Sequence, residues 1–442
     1  MRTTEILIHA RWVIPVEPDH RVLEYHSLAI DDGRISAILP SAEARQSFQA
    51  QSSVDLASHA VIPGLVNAHT HAAMTLLRGI ADDLHLMDWL HNHIWPAEQK
   101  WISEQFIHDG TQLAIAEMLR GGSTCFNDMY FFPEVTARVA ASSGIRACVG
   151  LIMVDFPTAY ADNPDQYFAK GLALHDEYRH HPLVRNAFAP HAPYTVSDAP
   201  LKKVQVLADE LDIPVHIHLH ETASEVEESR ARTGQRPLER LETLGLLSPA
   251  LSAVHMTQLQ DDEIARLAAA GASVVHCPES NLKLASGFCP VQKLRDAGVN
   301  VALGTDGAAS NNDLDMLGEM RTAALLAKAV YNDAAALPAH AVLRMATLNG
   351  AHALGMGEET GSLIAGKWAD IAAVDLGTLE TQPLYDPVSQ LVYAASRSQV
   401  TDVWVAGQHL LKNRALTQLE TQDLLQRAHS WQARIAAGDS GA

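Results

Sequence analysis

The feature that most constrains the fold of this chain is a repeated unit between about residues 61 and 303. In each unit a short apolar run is followed by a segment with helical periodicity. The runs predict eight β-strands: Val61–Leu65, Ser123–Asn127, Arg146–Leu151, Val184–Ala189, Val215–Leu219, Ala253–His255, Ser273–His276 and Val301–Leu303. Helical patterns follow most of them, as in Leu201–Leu211, Asp261–Ala270 and Pro290–Ala297. Strands that alternate with helices form a parallel sheet, and eight units predict a (β/α)8 TIM-like barrel whose active site lies at the C-terminal strand ends.

Both ends of the chain have a different texture, with short β-like runs and tight turns. The candidate strands are Glu5–Ala10, Leu28–Asp31, Arg34–Ile38, Ala369–Leu376 and Val400–Gly407. We expect the two ends to meet in one small β-sandwich. The predicted division is a composite domain of residues 1–60 and 369–442, which ends in a helix from about Leu419, and a barrel of residues 61–368.

Charge and composition exclude several classes of partner. The chain has 442 residues and a formal net charge of −20, which disfavours binding to nucleic acid or to an anionic membrane surface. No apolar run approaches eighteen residues, and the N-terminal run is broken by His9 and Arg11, so we expect no spanning helix and no signal peptide. The four cysteines show no paired spacing. We therefore expect a soluble cytoplasmic protein with free thiols.

Histidines and one aspartate gather at the predicted strand ends. His69 and His71 follow the first apolar run, His255 ends the sixth strand, and Asp306 follows the eighth. The fifth strand carries three more imidazoles on one face, and its alternation cannot choose among His216, His218 and His220. Since a barrel brings these ends together, the pattern predicts three histidines and one carboxylate around a metal ion, with room for water.

Several longer motifs extend this pattern over nearly the whole chain. They are Pro63–His71, Trp95–Glu98, Ala189–Tyr194, His218–Thr222, Ser280–Leu284, Gly304–Gly307 and Gly366–Asp370. With these motifs the chain resembles the amidohydrolase superfamily, and closely its 5′-methylthioadenosine/S-adenosylhomocysteine deaminases. The resemblance implies His69, His71, His218 and Asp306 as metal ligands, Glu221 as proton shuttle, and Glu98 and His191 as substrate contacts.

The chemistry of deamination is consistent with these implied roles. A bound divalent metal lowers the pKa of its water to about 7, and the resulting hydroxide can attack C6 of an adenine ring. Glu221, kept protonated in a semi-apolar pocket, can donate to the ring nitrogen N1. Asp306 can take the proton of the water and pass it to ammonia, and we assign His255 to holding the hydroxide in place.

The substrate side of the site is less constrained by the sequence. Glu98 lies in the long segment between the first two predicted strands, and its carboxylate suits the two hydroxyls of a ribose. His191 is expected to contact the purine or the reacting centre. The segment also carries Trp89, which we expect either in an apolar wall of the pocket or in the core.

Two departures from the superfamily pattern bear on the metal count and on the substrate. The predicted fourth strand contains no lysine that could bridge two metals, so we expect one divalent ion per subunit, zinc by default. No arginine occurs between Asp155 and Tyr178 to hold a homocysteine carboxylate. This leaves methylthioadenosine or adenosine as candidate preferred substrates.

The predicted function is hydrolytic deamination of the adenine ring of methylthioadenosine, S-adenosylhomocysteine or adenosine by a metal-bound hydroxide. The alternatives are a guanine deaminase or an s-triazine or chloro-triazine hydrolase on the same metal site, and a non-catalytic scaffold. A scaffold would have lost some of the ligands, and none is missing here. We expect a small purine nucleoside as partner, and a homo-oligomer.

Overall fold

The computed structural model describes residues 1–438, and the barrel sheet within them has eight parallel strands in chain order. These are Leu65–Thr70, Ser123–Asp128, Arg146–Met153, Val184–Pro190, Val215–Leu219, Leu251–His255, Ser273–His276 and Asn300–Leu303. The last strand returns to the first, where the N–H of Asp306 donates to the carbonyl of His69 over 3.0 Å. The predicted (β/α)8 barrel is therefore confirmed.

One predicted strand was wrong. The apolar run Val61–Leu65 is two strands, because residues 61–63 end the long strand Phe48–Pro63 of the other sheet and the barrel begins at Leu65. Gly64 separates them, and a Cβ at this position would overlap the side chain of Thr124, so the chain passes there only as glycine. The other seven predicted strands agree with the structure to within two residues at each end.

The second sheet combines both ends of the chain, as expected. Its strands within residues 1–438 are Arg2–Val13, Leu23–Asp31, Arg34–Pro40, Phe48–Pro63, Ile371–Asp375, Val400–Val405, Gln408–Lys412 and Ala415–Leu416. The ends join where Phe48–Pro63 pairs antiparallel with Ile371–Asp375. Leu28, Ile371 and Trp404 are buried in the apolar core of this sheet. The predicted boundaries of the two domains stay a prediction, and residues 439–442 of that division lie outside the described part of the chain.

Helices connect and cover the barrel strands. The α-helices are Ser41–Ser47, Leu86–Trp89, Trp95–Trp101, Glu104–Arg120, Pro133–Ser143, Pro164–Tyr178, Asp198–Leu211, Ala223–Thr233, Pro237–Thr243, Asp261–Ala270, Pro278–Lys283, Val291–Asp296, Ala308–Asn311, Met316–Tyr331, Ala339–Met345, Leu348–Ala353, Pro387–Tyr393 and Thr421–Ala437. Side-chain oxygens of Ser103 and Asn163 cap two of them by accepting backbone N–H groups, which satisfies donors that the first helical turn leaves unpaired.

Two further expectations concern the described residues. None of the helices in residues 1–438 is both long and apolar enough to cross a membrane. All four cysteines are buried and unpaired, as expected from their spacing.

The segment between the first two barrel strands folds into the short helices Leu86–Trp89 and Trp95–Trp101, joined by a π-helical turn at Leu90–Ile94. This segment lies over the C-terminal strand ends, where Leu86, Trp89 and Trp95 line a cavity that His218 and Asp306 also line.

Candidate metal and substrate site

Four of the side chains that the sequence points to meet at the C-terminal end of the barrel. One ligand atom from each of His69, His71, His218 and Asp306 lies within 4.8 Å of the other three. Asp306 Oδ1 is 3.3 Å from His69 Nε2 and 3.2 Å from His71 Nε2, and the Nε2 atoms of His69 and His218 are 3.1 Å apart. These atoms converge on one point, which a single ion can occupy.

The outer nitrogen of each of these histidines has a partner that orients the ring. His71 Nδ1 donates to the carbonyl of Met129 over 2.6 Å, and His218 Nδ1 donates to the carbonyl of His191 over 2.8 Å. Because Nδ1 carries the proton in both rings, the lone pair of Nε2 faces the centre of the cluster. His69 Nδ1 lies 2.8 Å from Nε2 of His216. Three imidazole nitrogens and one carboxylate oxygen fit a catalytic divalent metal.

The carboxylate of Asp306 is held by both of its oxygens. Asp306 Oδ2 accepts hydrogen bonds from the hydroxyls of Ser280 at 2.6 Å and Ser310 at 2.8 Å, while Oδ1 faces the histidines. Burial raises the pKa of this carboxyl, but hydrogen bonds to the histidines outweigh burial and lower it well below its usual value. Its backbone is left-handed, with φ of 62°, which turns the side chain inward at the strand end.

The structure distinguishes the three histidines of the fifth strand, which alternation alone does not. His218 joins the cluster, and His216 lies deeper and supports His69. His220 leaves the row because its φ of 52° turns the chain, and its Nε2 accepts the N–H of Leu238 over 3.0 Å. The ambiguity of the sequence pattern is therefore resolved by the depth of His216 and by the backbone turn at His220.

Glu221 and His255 lie beside the cluster. Glu221 is buried, burial raises the pKa of its carboxyl, and its Oε2 is 3.9 Å from His255 Nε2. His255 Nδ1 lies 2.9 Å from Oδ1 of Asn281, which can only accept, so Nδ1 donates and Nε2 faces the cavity. A carboxyl whose pKa is raised by burial and the Nε2 atom of an imidazole thus face the same space.

A cavity of about 640 Å³ opens from this cluster toward the segment over the barrel. Glu98 lines it, and its Oε1 accepts a hydrogen bond from the hydroxyl of Tyr130 at 2.7 Å. Burial raises the pKa of Glu98 to about 7, against the lowering effect of that hydrogen bond. His191 also lines the cavity, with Nδ1 3.0 Å from Thr195 Oγ1, and burial lowers its pKa to about 3. Its ring is therefore neutral.

The outer part of the cavity is apolar and aromatic. Trp89, Leu90, Trp95, Phe131 and Phe156 are among its lining residues, so Trp89 contributes to a wall of the pocket as well as to the core. Among the lining residues, all of which belong to the described part of the chain, there is neither lysine nor arginine. Among these lining residues, histidine is the one residue type whose side chain can take up a positive charge.

All predicted site residues therefore line one cavity or its metal cluster, and some supporting residues were missed. Ser280 and Asn281 lie in a motif that had no role from the sequence, and they hold Asp306 and His255. Tyr130, which holds Glu98, follows the end of the second barrel strand, the position where a barrel places functional side chains. Attention to every strand end would have found it. The roles of the predicted residues stay proposals.

Comparison with known proteins finds similar sequences and structures over nearly the full chain. Residues 60–410 match the model of the amidohydrolase family. The chain is 51% identical over 435 residues to a 5-methylthioadenosine/S-adenosylhomocysteine deaminase of Teredinibacter turnerae, covering 98% of each sequence. It is similar to the structure of an adenosine deaminase from Xanthomonas campestris with bound zinc, with TM-score 0.98, 57% identity and 99% of each chain covered. It is also similar to zinc-complexed atrazine chlorohydrolase from Arthrobacter aurescens, with TM-score 0.89, 26% identity and coverage of 96% of this chain and 99% of that one.

Proposed function

This chain belongs to the amidohydrolase family, and from that premise we propose that it hydrolytically deaminates the adenine ring of 5′-methylthioadenosine and S-adenosylhomocysteine, and of adenosine. The single observation that carries the proposal is the convergence of His69, His71, His218 and Asp306 at the base of a cavity that also holds Glu221. Relatives at 51% identity over nearly the full length carry the same activity in their names.

We propose that the cluster holds one divalent ion and that this ion is zinc. When bound, such an ion lowers the pKa of a water molecule and so supplies a nucleophile near neutral pH. Zinc accepts imidazole and carboxylate ligands, and the relative from Xanthomonas campestris contains it. The fourth barrel strand, Val184–Pro190, has no lysine that could bridge a second ion, which supports one ion per subunit.

The proton transfers of the reaction are assigned to three side chains. Asp306 accepts the proton of the attacking water, because its carboxyl is ionised and its Oδ1 faces the cluster. Burial raises the pKa of Glu221, which favours the protonated carboxyl, and this carboxyl donates its proton to N1 as charge develops there. His255, fixed by Asn281, points Nε2 into the cavity and orients the water. Asp306 then passes its proton to the departing ammonia as the C6–N bond breaks, and Glu221 regains a proton from the C6 hydroxyl, which becomes the carbonyl of the product.

The nucleoside is proposed to lie with its ribose at Glu98. The hydroxyl of Tyr130 occupies Oε1 of Glu98, which leaves Oε2 free to accept hydrogen bonds from ribose hydroxyls. His191 contacts the purine as a neutral ring. The apolar side chains of Trp89 and Phe156 suit the 5′-thioether, since a thioether forms only weak hydrogen bonds.

The absence of lysine and arginine from the lining residues of the described chain supports a preference for uncharged tails. A homocysteine carboxylate that entered this outer cavity would lose water without gaining a permanent cationic partner. We therefore propose that 5′-methylthioadenosine and adenosine are better substrates than S-adenosylhomocysteine. A homo-oligomer and a cytoplasmic location also stay predictions.

A substrate panel tests the proposed function. Metal-loaded protein is mixed with methylthioadenosine, S-adenosylhomocysteine, adenosine and adenine, and the ultraviolet change from adenine to hypoxanthine is recorded. Guanine and an s-triazine are the controls. Turnover of the nucleosides, fastest for those with uncharged tails, is the expected result. Turnover of guanine or the triazine alone would keep the metal site and refute the substrate.

A further inference from the structure

The chain turns sharply after the fifth barrel strand, and this turn directs Glu221 into the cavity. In a continued strand, side chains three residues apart point to opposite faces, so Glu221 would point away from His218. His220 breaks that alternation with a left-handed φ of 52°. As a result the side chain of His220 faces Leu238, while Glu221 lines the same cavity as His218.

One carboxyl group holds both backbone N–H groups of this turn. Glu225 Oε1 accepts from the N–H of His220 at 3.2 Å, and Oε2 accepts from the N–H of Glu221 at 2.6 Å. Glu225 lies in the first turn of the helix Ala223–Thr233, whose N-terminus is capped separately by the hydroxyl of Thr222. A left-handed backbone is unfavourable for a residue with a side chain. Because Glu225 accepts from the N–H groups of both His220 and Glu221, it stabilises this turn relative to an extended strand.

We propose that Glu225 is a positioning residue for catalysis, which fixes the turn at His220–Glu221 so that the carboxyl of Glu221 faces the substrate ring. This inference rests on the proposed function, in which Glu221 moves the proton. Burial raises the pKa of Glu225 to about 8, and the nearby charge of Glu221 raises it too, whereas the backbone N–H groups lower it. Placing a second carboxyl here is therefore costly, and the two N–H groups offset that cost.

The test is a variant series read by kcat and KM separately. Glu225→Ala removes both acceptors, and we expect kcat to fall about 100-fold, because a misplacement of about 1 Å costs that much. KM is expected to change less than kcat, and the metal content to stay as in the wild type. Glu225→Gln keeps the size of the side chain and one acceptor. We expect its kcat to fall about tenfold, to a value between those of the wild type and Glu225→Ala.

Two control variants separate positioning from the stability of the helix. Thr222→Ala removes the helix cap but leaves both contacts of Glu225, so Tm falls while kcat stays within about twofold of the wild type. Glu228→Gln changes an exposed glutamate of the same helix, and we expect neither value to move. A kcat that follows Tm across the whole series would overturn the proposal.

A double-mutant cycle shows whether Glu225 acts through Glu221. In a Glu221→Gln background, Glu225→Ala should lower the residual kcat no further, because the group that it positions is gone. An equal loss in both backgrounds, or a wild-type kcat for Glu225→Ala, would refute the inference. The wild-type protein is assayed first on the substrate panel, so failure of the proposed function is recognised there, before any Glu225 variant is compared.

Discussion

Glu98 is expected to have two opposite effects. Its buried carboxylate destabilises the ligand-free protein, and the same carboxylate binds the substrate. The variant Glu98→Gln separates these two effects. Its pKa rises from 4.5 to about 7 because of burial. The folded state therefore holds the proton more tightly than the unfolded state, so stability is lost as pH rises from about 4.5 to about 7 and stays lost above that. A shift of this size corresponds to about 3 kcal/mol, and this is an upper limit because the carboxyl faces an open cavity.

Glutamine has no charge to bury, so Glu98→Gln removes this cost. Thermal unfolding of ligand-free protein is measured between pH 4 and pH 9 for both forms. We expect equal stability near pH 4 and a gain for the variant that grows to at most about 3 kcal/mol above pH 7. This gain is several degrees in Tm. The control is Glu104→Gln, a change at an exposed glutamate of the next helix. Its stability should match that of the wild type at both pH 4 and pH 9.

The same variant should lose catalysis. Removing a charge-assisted acceptor costs about 1.5–3 kcal/mol, so kcat/KM for adenosine is expected to fall roughly 10- to 150-fold. With 2′,3′-dideoxyadenosine, which lacks both hydroxyls, wild type and variant should react at similar rates. The reasoning is refuted if Glu98→Gln is no more stable than the wild type at pH 8, or if the variant still distinguishes the two nucleosides as the wild type does.

Other perturbations address the reaction and the metal site. Glu221→Gln should retain metal and lose turnover by about 10²- to 10⁴-fold, and normal turnover measured in the ultraviolet assay would exclude it as proton shuttle. Asp306→Ala should lose both metal, measured by elemental analysis, and activity, whereas full retention of metal would remove Asp306 from the ligands. Asn281→Ala should leave metal content unchanged and lower kcat about tenfold, because His255 loses the acceptor that orients it; an unchanged kcat would show that this hydrogen bond is dispensable.

The sequence predicted the barrel because strand and helix periodicities differ and because catalytic side chains gather at strand ends. It could not locate the boundary at Gly64, since hydropathy runs unbroken through two strands that belong to different sheets. Alternation also could not choose His218 over its neighbours, because the choice depends on the depth of His216, which supports His69, and on the left-handed turn at His220. Contacts such as that of Ser280 with Asp306 join a short helix after the seventh barrel strand to the loop after the eighth, and no local pattern reveals them.

The central claim is that this cavity deaminates an adenine nucleoside with the help of a bound metal. The most direct test is the rate of conversion of 5′-methylthioadenosine to its inosine analogue, measured with zinc-loaded protein, with the same protein after chelation, and after zinc is restored. We predict kcat/KM of at least about 10⁴ M⁻¹s⁻¹ for the loaded protein, loss on chelation and recovery with zinc. Full occupancy by zinc without conversion of this nucleoside or of adenosine would contradict the account.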